Sequence, residues 1–236
     1  MMHLELRDVH THYGSSHILF GIGLEVSEGR VVCLLGRNGA GKTTTMRTIM
    51  GLARATGGEI KFNGESLVGL EPYQIASLGV GFVPDDRLIF PDLTVRENLE
   101  IAERKGPGAG KFDWSVEKIY DLFPVLRPLD RRLGAYLSGG EQQMLTVGRT
   151  LMGNPLLLLL DEPVEGVAPI VVRELSEKIL KLKAMGLTIL MAEQNLHFAT
   201  RISDFAYVID KGRIRFHGPM QDLARNDEVK RKYLMI

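Results

Sequence analysis

Cysteine is almost absent from this chain, with Cys33 alone among 236 residues. A single cysteine excludes an internal disulfide and fits a reducing compartment. Excess charge of either sign is also missing, because 29 Lys and Arg balance 29 Asp and Glu. The positive footprint of a nucleic-acid binder is therefore lacking, and no nucleic-acid partner is expected. The local clusters Lys178, Lys181, Lys183 and Lys230-Arg231-Lys232 read as solvated faces. No apolar stretch approaches the roughly 18 residues of a spanning helix. Met1-Met2-His3-Leu4-Glu5 carries no signal-peptide pattern, so any membrane role is expected to run through a partner. Internal repeats and low-complexity tracts are missing too.

What is there is enough chain for a sizeable core, as one domain or one domain with a subdomain. Short strands are expected at 4–9, 18–26 and 31–35, with Ser27-Glu28-Gly29 joining the last two as a hairpin. A glycine-rich loop and a helix over 42–50 follow, then strands at 58–64 and 79–83, the latter stopped by Pro84. From about Thr94 to Gly153 the periodicity turns helical, interrupted by Gly106-Pro107-Gly108-Ala109-Gly110, which reads as a flexible connection. Alternation then resumes. Leu156–Leu160 reads as a buried strand, Val172, Leu175, Ile179 and Leu182 mark a helix that Gly186 ends, and 187–192 is the next buried strand. A hairpin turning at Lys211-Gly212 and short amphipathic helices close the chain. Apolar strands alternating with helices argue for an α/β fold on a mostly parallel, covered sheet. The expected division is a core of 1–93 and 154–236 with a helical subdomain at 94–153.

Gly36-Arg37-Asn38-Gly39-Ala40-Gly41-Lys42-Thr43-Thr44 stands between a strand and a helix, the context that confirms a phosphate-binding loop. Its glycines let successive backbone N–H groups turn toward an anion, and the helix N-terminus adds partial positive charge. Lys42 is suited to the β- and γ-phosphates, and the Thr43 hydroxyl to Mg²⁺. The buried strand 156–160 delivers Asp161 and Glu162 to the carboxyl edge of the sheet, where open α/β sheets bind ligands. Asp161 is placed to hold the Mg²⁺ shell and Glu162 to polarise an attacking water. Leu137-Ser138-Gly139-Gly140-Glu141-Gln142-Gln143 satisfies a capping box ahead of an amphipathic helix. Its two glycines cost helix propensity, about 1 kcal/mol each relative to alanine. What they offer is close backbone approach to an anion at a positive helix end.

In this order and spacing, the phosphate loop, Leu-Ser-Gly-Gly-Glu-Gln-Gln and the leucine-rich Asp-Glu-Pro resemble the ATP-binding cassette (ABC) ATPases over essentially the whole chain. The resemblance implies a P-loop NTPase core, an N-terminal antiparallel β subdomain, an inserted helical subdomain, and ATP with Mg²⁺ as cofactors. It also implies a head-to-tail pair of cassettes, in which Ser138, Gly139 and Gly140 contact the γ-phosphate held by the partner's Lys42 loop. Tyr13 falls where an aromatic residue of that family stacks on adenine.

Three positions depart from the commonest cassette pattern. Asp85 follows Val83-Pro84 where the family has a glutamine that touches Mg²⁺, Ala168 replaces an aspartate, and Gln194 replaces a histidine. Gln194 can donate a hydrogen bond to the γ-phosphate but carries no proton or charge. His197 comes three residues too late and is expected on the next helix. These departures, with Glu193-Gln194-Asn195 and Ile89 to Leu99, resemble the shorter ATPase of branched-chain amino-acid importers; urea and short-amide importers are similar in the same places. The resemblance implies permease subunits, a second ATPase subunit and, indirectly, a substrate-binding protein as partners. It implies a cytoplasmic subunit at the inner face of the membrane, with a permease helix received near Asp85 to Leu93. A soluble ATPase of ribosomes or DNA would carry tandem cassettes, a coiled-coil insertion or basic extensions, which this sequence does not show. A nucleotide-binding partner with degenerate catalysis is the third alternative, kept open by Asp85 and Gln194. His10 and His12 alternate on a strand and could share a face, but with no acidic or cysteine partner near in sequence no metal site is expected at His10, His12 and His17.

Overall fold

The computed structural model describes residues 2–234. Two sheets divide the strands. The first is antiparallel, in the order β2-β1-β4-β5, and comprises β1 (Met2–Tyr13), β2 (Ser16–Ser27), β4 (Ala55–Phe62) and β5 (Glu65–Ser66). The second has six strands in the order β10-β9-β3-β8-β7-β6. Here β6 (Val80–Val83), β7 (Leu157–Asp161), β8 (Thr188–Glu193), β3 (Val31–Leu35) and β9 (Phe205–Asp210) run parallel. Only β10 (Arg213–Pro219) is antiparallel, paired with β9.

Every residue of β3, β7 and β8 is buried, because helices or the other sheet cover both faces. Alternate side chains of one strand therefore serve two cores. Cys33, Leu158, Leu160, Ile189 and Met191 pack with Tyr120, Phe123, Met144 and Leu145 of the helical stretch. Val32, Leu34, Leu157, Leu159 and Leu190 pack instead on Leu4, Leu6, Leu24 and Phe62 of the antiparallel sheet and on Met46 and Ile49. The last two lie on α1 (Lys42–Ile49).

The expected hairpin across Ser27-Glu28-Gly29 does not form. The turn exists, with Arg30 N–H donating to the Ser27 carbonyl at 3.2 Å, but β2 and β3 belong to different sheets. The two-sided apolar β3 needs a central place between β8 and β9, which leaves it no edge for β2. Two glycines of the stretch at 106–110, Gly106 and Gly108, are closely packed, while Pro107, Ala109 and Gly110 are exposed. A Cβ on Gly106 would lie 2.0 Å from the Gly153 carbonyl oxygen, and one on Gly108 would lie 2.6 Å from that of Asn154. Buried Asn154 stitches this region, accepting from Trp114 N–H at 2.8 Å and donating to the Arg104 carbonyl at 3.0 Å.

Between 94 and 153 the chain forms helices and turns, with an isolated antiparallel bridge between Thr94 and Leu133. α2 (Pro72–Ser77) precedes this stretch, α3 (Val95–Glu100) and α4 (Val116–Leu122) lie within it, and α5 (Gly139–Leu151) ends it. Thr94 and Ser138 each cap their helix through a reciprocal box with the Glu three residues on. α6 (Pro169–Ala184) buries Leu175, Ile179 and Leu182 and stops at Gly186, whose φ is +85°. His197 lies on α7 (Leu196–Ile202), and α8 (Met220–Arg225) and α9 (Asp227–Val229) follow β10. Lys183 departs from the solvated reading, since it ion-pairs with Asp204 at 2.7 Å.

The Lys211-Gly212 turn has φ values of +49° and +70°, the two positive central residues of a type I′ hairpin. It also supports the phosphate loop. Gly212 N–H donates to the Ala40 carbonyl and Gly212 carbonyl accepts from Phe20 N–H, both at 2.8 Å. A Cβ on Gly212 would sit 1.9 Å from the Ile18 carbonyl oxygen. Gly212→Ala is therefore expected to destabilise the fold by about 1–3 kcal/mol and to weaken nucleotide binding. Thermal unfolding and titration with a fluorescent ATP analogue check this, and an unchanged Tm would contradict it.

Candidate active site

The phosphate loop leaves β3 at Gly36 and enters α1 through Gly41, whose φ of +113° only glycine takes without strain. Gly36 has no room for a side chain, because a Cβ would meet the Ile209 carbonyl oxygen at 2.6 Å. Arg37, Asn38 and Gly39 lie exposed at the mouth of the loop, while Ala40, Gly41 and Lys42 are buried. The Lys42 ammonium is 3% exposed. It donates to the carbonyls of Gly36 and Arg37 at 2.9 and 3.0 Å and pairs with Glu162 Oε1 at 3.1 Å.

Three carboxylates stand at the ends of the neighbouring strands β7 and β8, and Glu162 pairs directly with this cation. Asp161 closes β7 fully buried, and its Oδ1 accepts from the Thr43 hydroxyl at 3.2 Å. Burial pushes its carboxyl up to about 7; the Thr43 hydroxyl opposes this, and the charges of Asp85 and Glu162 reinforce it. Glu162 takes a positive φ of +45°, uncommon for a side-chain residue, and its N–H donates to the Ala192 carbonyl at 3.0 Å. The charge of Glu162 in turn raises the Glu165 carboxyl. Glu193 ends β8, 2% exposed. Burial pushes it also to about 7, against the backbone N–H groups of Asn195 and Gln194 that stabilise its charge.

One oxygen each of Asp161, Glu162 and Glu193 is buried without a hydrogen-bond partner. Unsatisfied buried carboxylate oxygens are costly, and hard oxygen donors of this kind suit a hydrated divalent cation or a polarised water. Among the described residues no three His, Cys, Asp or Glu side chains gather as a metal site. A Mg²⁺ shell here would therefore be completed by phosphate and water, which is that ion's habit.

A family model described as "ABC transporter" matches residues 19–165. The chain belongs to that family. BraG of Pseudomonas aeruginosa, a high-affinity branched-chain amino acid transport ATP-binding protein, is 41% identical over 98% of this chain and 99% of its own. The lipopolysaccharide export system ATP-binding protein LptB of Haemophilus influenzae is 34% identical over 94% and 92% of the two chains. A solved ATP-binding cassette of an ABC transporter, in its ADP conformation, superposes with a TM-score of 0.81 at 29% identity over 97% of both chains. This cassette is accordingly an ATP-binding ATPase with a P-loop NTPase core.

The remaining candidate residues lie on separate elements. Ser138 accepts from Glu141 N–H while Glu141 Oε2 accepts from Ser138 N–H at 2.7 Å, so the signature segment starts α5. Its glycines also answer packing needs that their spacing does not reveal. A Cβ on Gly139 would meet the Arg87 guanidinium at 2.7 Å, and one on Gly140 would meet Val171 of α6 at 2.6 Å. Tyr13 closes β1 with its ring 46% exposed. Asp85 and Gln194 are exposed, and Thr44 sits half-buried on α1. No helix is long and apolar enough to cross a membrane among the described residues.

The histidines need one correction. Asp8 is a carboxylate partner, its Oδ1 lying 3.3 Å from His10 Nε2. His10 Nδ1 meets His17 Nε2 at 3.1 Å, and His12 stacks on His17 with ring centroids 4.0 Å apart. Sequence reasoning also passed over Glu193, Gly212 and Arg87. The first stood in plain view as an acidic residue ending an apolar strand, while the other two have no signal without the contacts they make.

Asp161 takes up its proton near pH 7 when folded and near 3.8 when unfolded. Between those values the folded chain binds more protons, so its contribution to stability falls as pH rises and levels off above about 7. In Mg²⁺- and nucleotide-free protein, Asp161→Asn is therefore expected to be more heat-stable than wild type at pH 8, with the gap closing toward pH 4. A gap independent of pH would refute this.

Proposed function

We propose that this chain powers an ABC importer of branched-chain amino acids, binding ATP between two cassettes and passing the closing and opening of that pair to permease subunits. The observation that carries the cargo is the 41% identity to BraG along nearly the full length of both chains. LptB, at 34%, is the more distant of the two relatives.

In this reading ATP lies on the phosphate loop, its adenine against Tyr13 and its β- and γ-phosphates against Lys42 and the backbone of Gly36 to Thr44. Lys42 then exchanges the loop carbonyls for phosphate oxygens, which loosens its pair with Glu162. Thr43, Asp161 and Asp85 hold Mg²⁺, whose charge neutralises the phosphates when bound. Glu162 orients and polarises the attacking water, and Gln194 donates a hydrogen bond to the γ-phosphate. Ser138, Gly139 and Gly140 turn the positive end of α5 toward the ATP of a second ATPase subunit. That subunit is a sister ATPase in the cell, and a second copy can stand in for it in isolation.

A groove of about 490 Å³ lined by Phe82, Ile101, Arg104 and Arg149 suits a cytoplasmic helix of a permease. Exposed Leu88, Phe90 and Ile101 supply apolar contacts beside it. The cassette thereby sits at the inner face of the membrane, with a substrate-binding protein linked only through the permease.

Glu162→Gln is expected to retain ATP binding, to lose turnover by about 10²–10⁴-fold, and to accumulate an ATP-bound dimer in sedimentation. Wild-type-like turnover would sink the role of Glu162. Ser138→Arg or Gly139→Asp should spare ATP binding by the monomer and abolish ATP-dependent dimerisation; loss of monomer affinity instead would show that the segment acts in cis. For cargo, cells deleted for this subunit should lose uptake of labelled leucine and regain it on complementation. Unimpaired uptake, or recovery of the native protein with ribosomes instead of hydrophobic subunits, would overturn the assignment.

A further inference from the structure

Glu193 is a buried carboxylate to which no role falls in the reaction as read above. Its main-chain carbonyl accepts from Gly36 N–H at 3.1 Å, at the start of the phosphate loop. Its side-chain Oε2 accepts from the N–H groups of both Gln194 and Asn195 at 3.0 Å. The residue before Glu193, Ala192, accepts from Glu162 N–H through its main-chain carbonyl at 3.0 Å. Asn195 then caps α7, accepting from Phe198 N–H at 3.0 Å. The end of β8 thus touches the phosphate loop through the Glu193 carbonyl, the segment of Glu162 through the Ala192 carbonyl, and the loop of Gln194 through the Glu193 side chain.

We propose that Glu193 is a positioning residue that clamps these three loops to one another, so that engagement of Gln194 by the γ-phosphate is felt at Glu162. A carboxylate is costly to take out of water, and an apolar or amide side chain would be cheaper for packing alone. Here the charge serves two adjacent N–H groups at once, which a carboxylate accepts through one oxygen without offering a competing donor. The other oxygen, Oε1, is buried and has no hydrogen-bond partner. The charged and titratable groups around it are Glu162, whose charge opposes its own, and the Cys33 thiol on β3, which burial and Glu193 both push upward. Gln194 carries no charge, so its alignment depends on backbone placement, and Glu193 supplies that placement.

The proposal rests on the reading of Gln194 and Glu162 given above, and the two can fail separately. In the full chain, Glu193→Gln keeps volume and an acceptor oxygen for both N–H groups but removes the charge that strengthens those bonds. Its turnover number is expected to fall roughly tenfold, and that of Glu193→Ala ten- to a hundredfold, as for other misplacements of reacting groups. ATP affinity of the monomer, KM and Tm should stay near wild type for Glu193→Gln. The loss should be non-additive with that of Gln194→Ala in a double-mutant cycle. Wild-type turnover in Glu193→Gln, a loss matched by weaker ATP affinity, or additive losses would each overturn the clamp. Gln194→Ala with full turnover would instead overturn the role of Gln194 itself. Should Glu193→Ala fail to fold, Glu193→Gln decides the matter.

Discussion

One cation holds the site together. Lys42 lies almost fully buried against the carbonyls of Gly36 and Arg37 and against Glu162, while Asp161 and Glu193 end adjacent strands nearby. Carboxylates drawn out of water at adjacent strand ends are expensive, and the raised Asp161 and Glu193 carboxyls express that cost. Parallel pairing imposes the arrangement. β3, β8 and β7 run in register, Leu35 beside Glu193 and Ala192 beside Asp161, so their polar ends must emerge together at one edge. A site built this way is poised for an anion with its own countercharge, which would relieve the crowding.

The same geometry explains why the glycines of the site serve two purposes. Gly36, Gly139 and Gly140 stand in the motifs proposed to face phosphate, yet each also meets a neighbour too close for a Cβ: Ile209, Arg87 and Val171. Arg87 has a positive φ of +61°, and its guanidinium donates to the Glu165 carbonyl at 3.1 Å while lying over Gly139. The loop after β6 thereby touches both the start of α5 and the segment that follows Glu162. Movement of the helical stretch against the core has a direct physical route to the catalytic edge.

Much of this was legible in order along the chain. Local signals sufficed where local physics decides: the capping box at Ser138, the glycine stop of α6, the hairpin at Lys211-Gly212, and the apolar runs of β3, β7 and β8. The strand limits at β7 and β8 moved by one residue toward the carboxyl end, which brought Asp161 and Glu193 inside the pairing. Where two segments distant in sequence compete for one place, local signals failed. Ser27-Glu28-Gly29 has hairpin chemistry, but β3 is needed in the middle of the other sheet. Gly106 to Gly110 has linker chemistry, but Gly106 and Gly108 lie against Gly153 and Asn154.

By itself the sequence determined which groups reach the site and on which kind of element each sits, because glycine conformations, caps and apolar periods act over a few residues. Leu137 to Gln143, the phosphate loop and Asp161-Glu162 are all of that kind, and family membership follows from them. Only the tertiary structure decided that Glu193 joins three loops, that Gly212 props Ala40, and that Lys42 answers Glu162. Those relations depend on strands brought together from positions up to about 170 residues apart, and burial gives a charge its energetic weight only after that packing is complete.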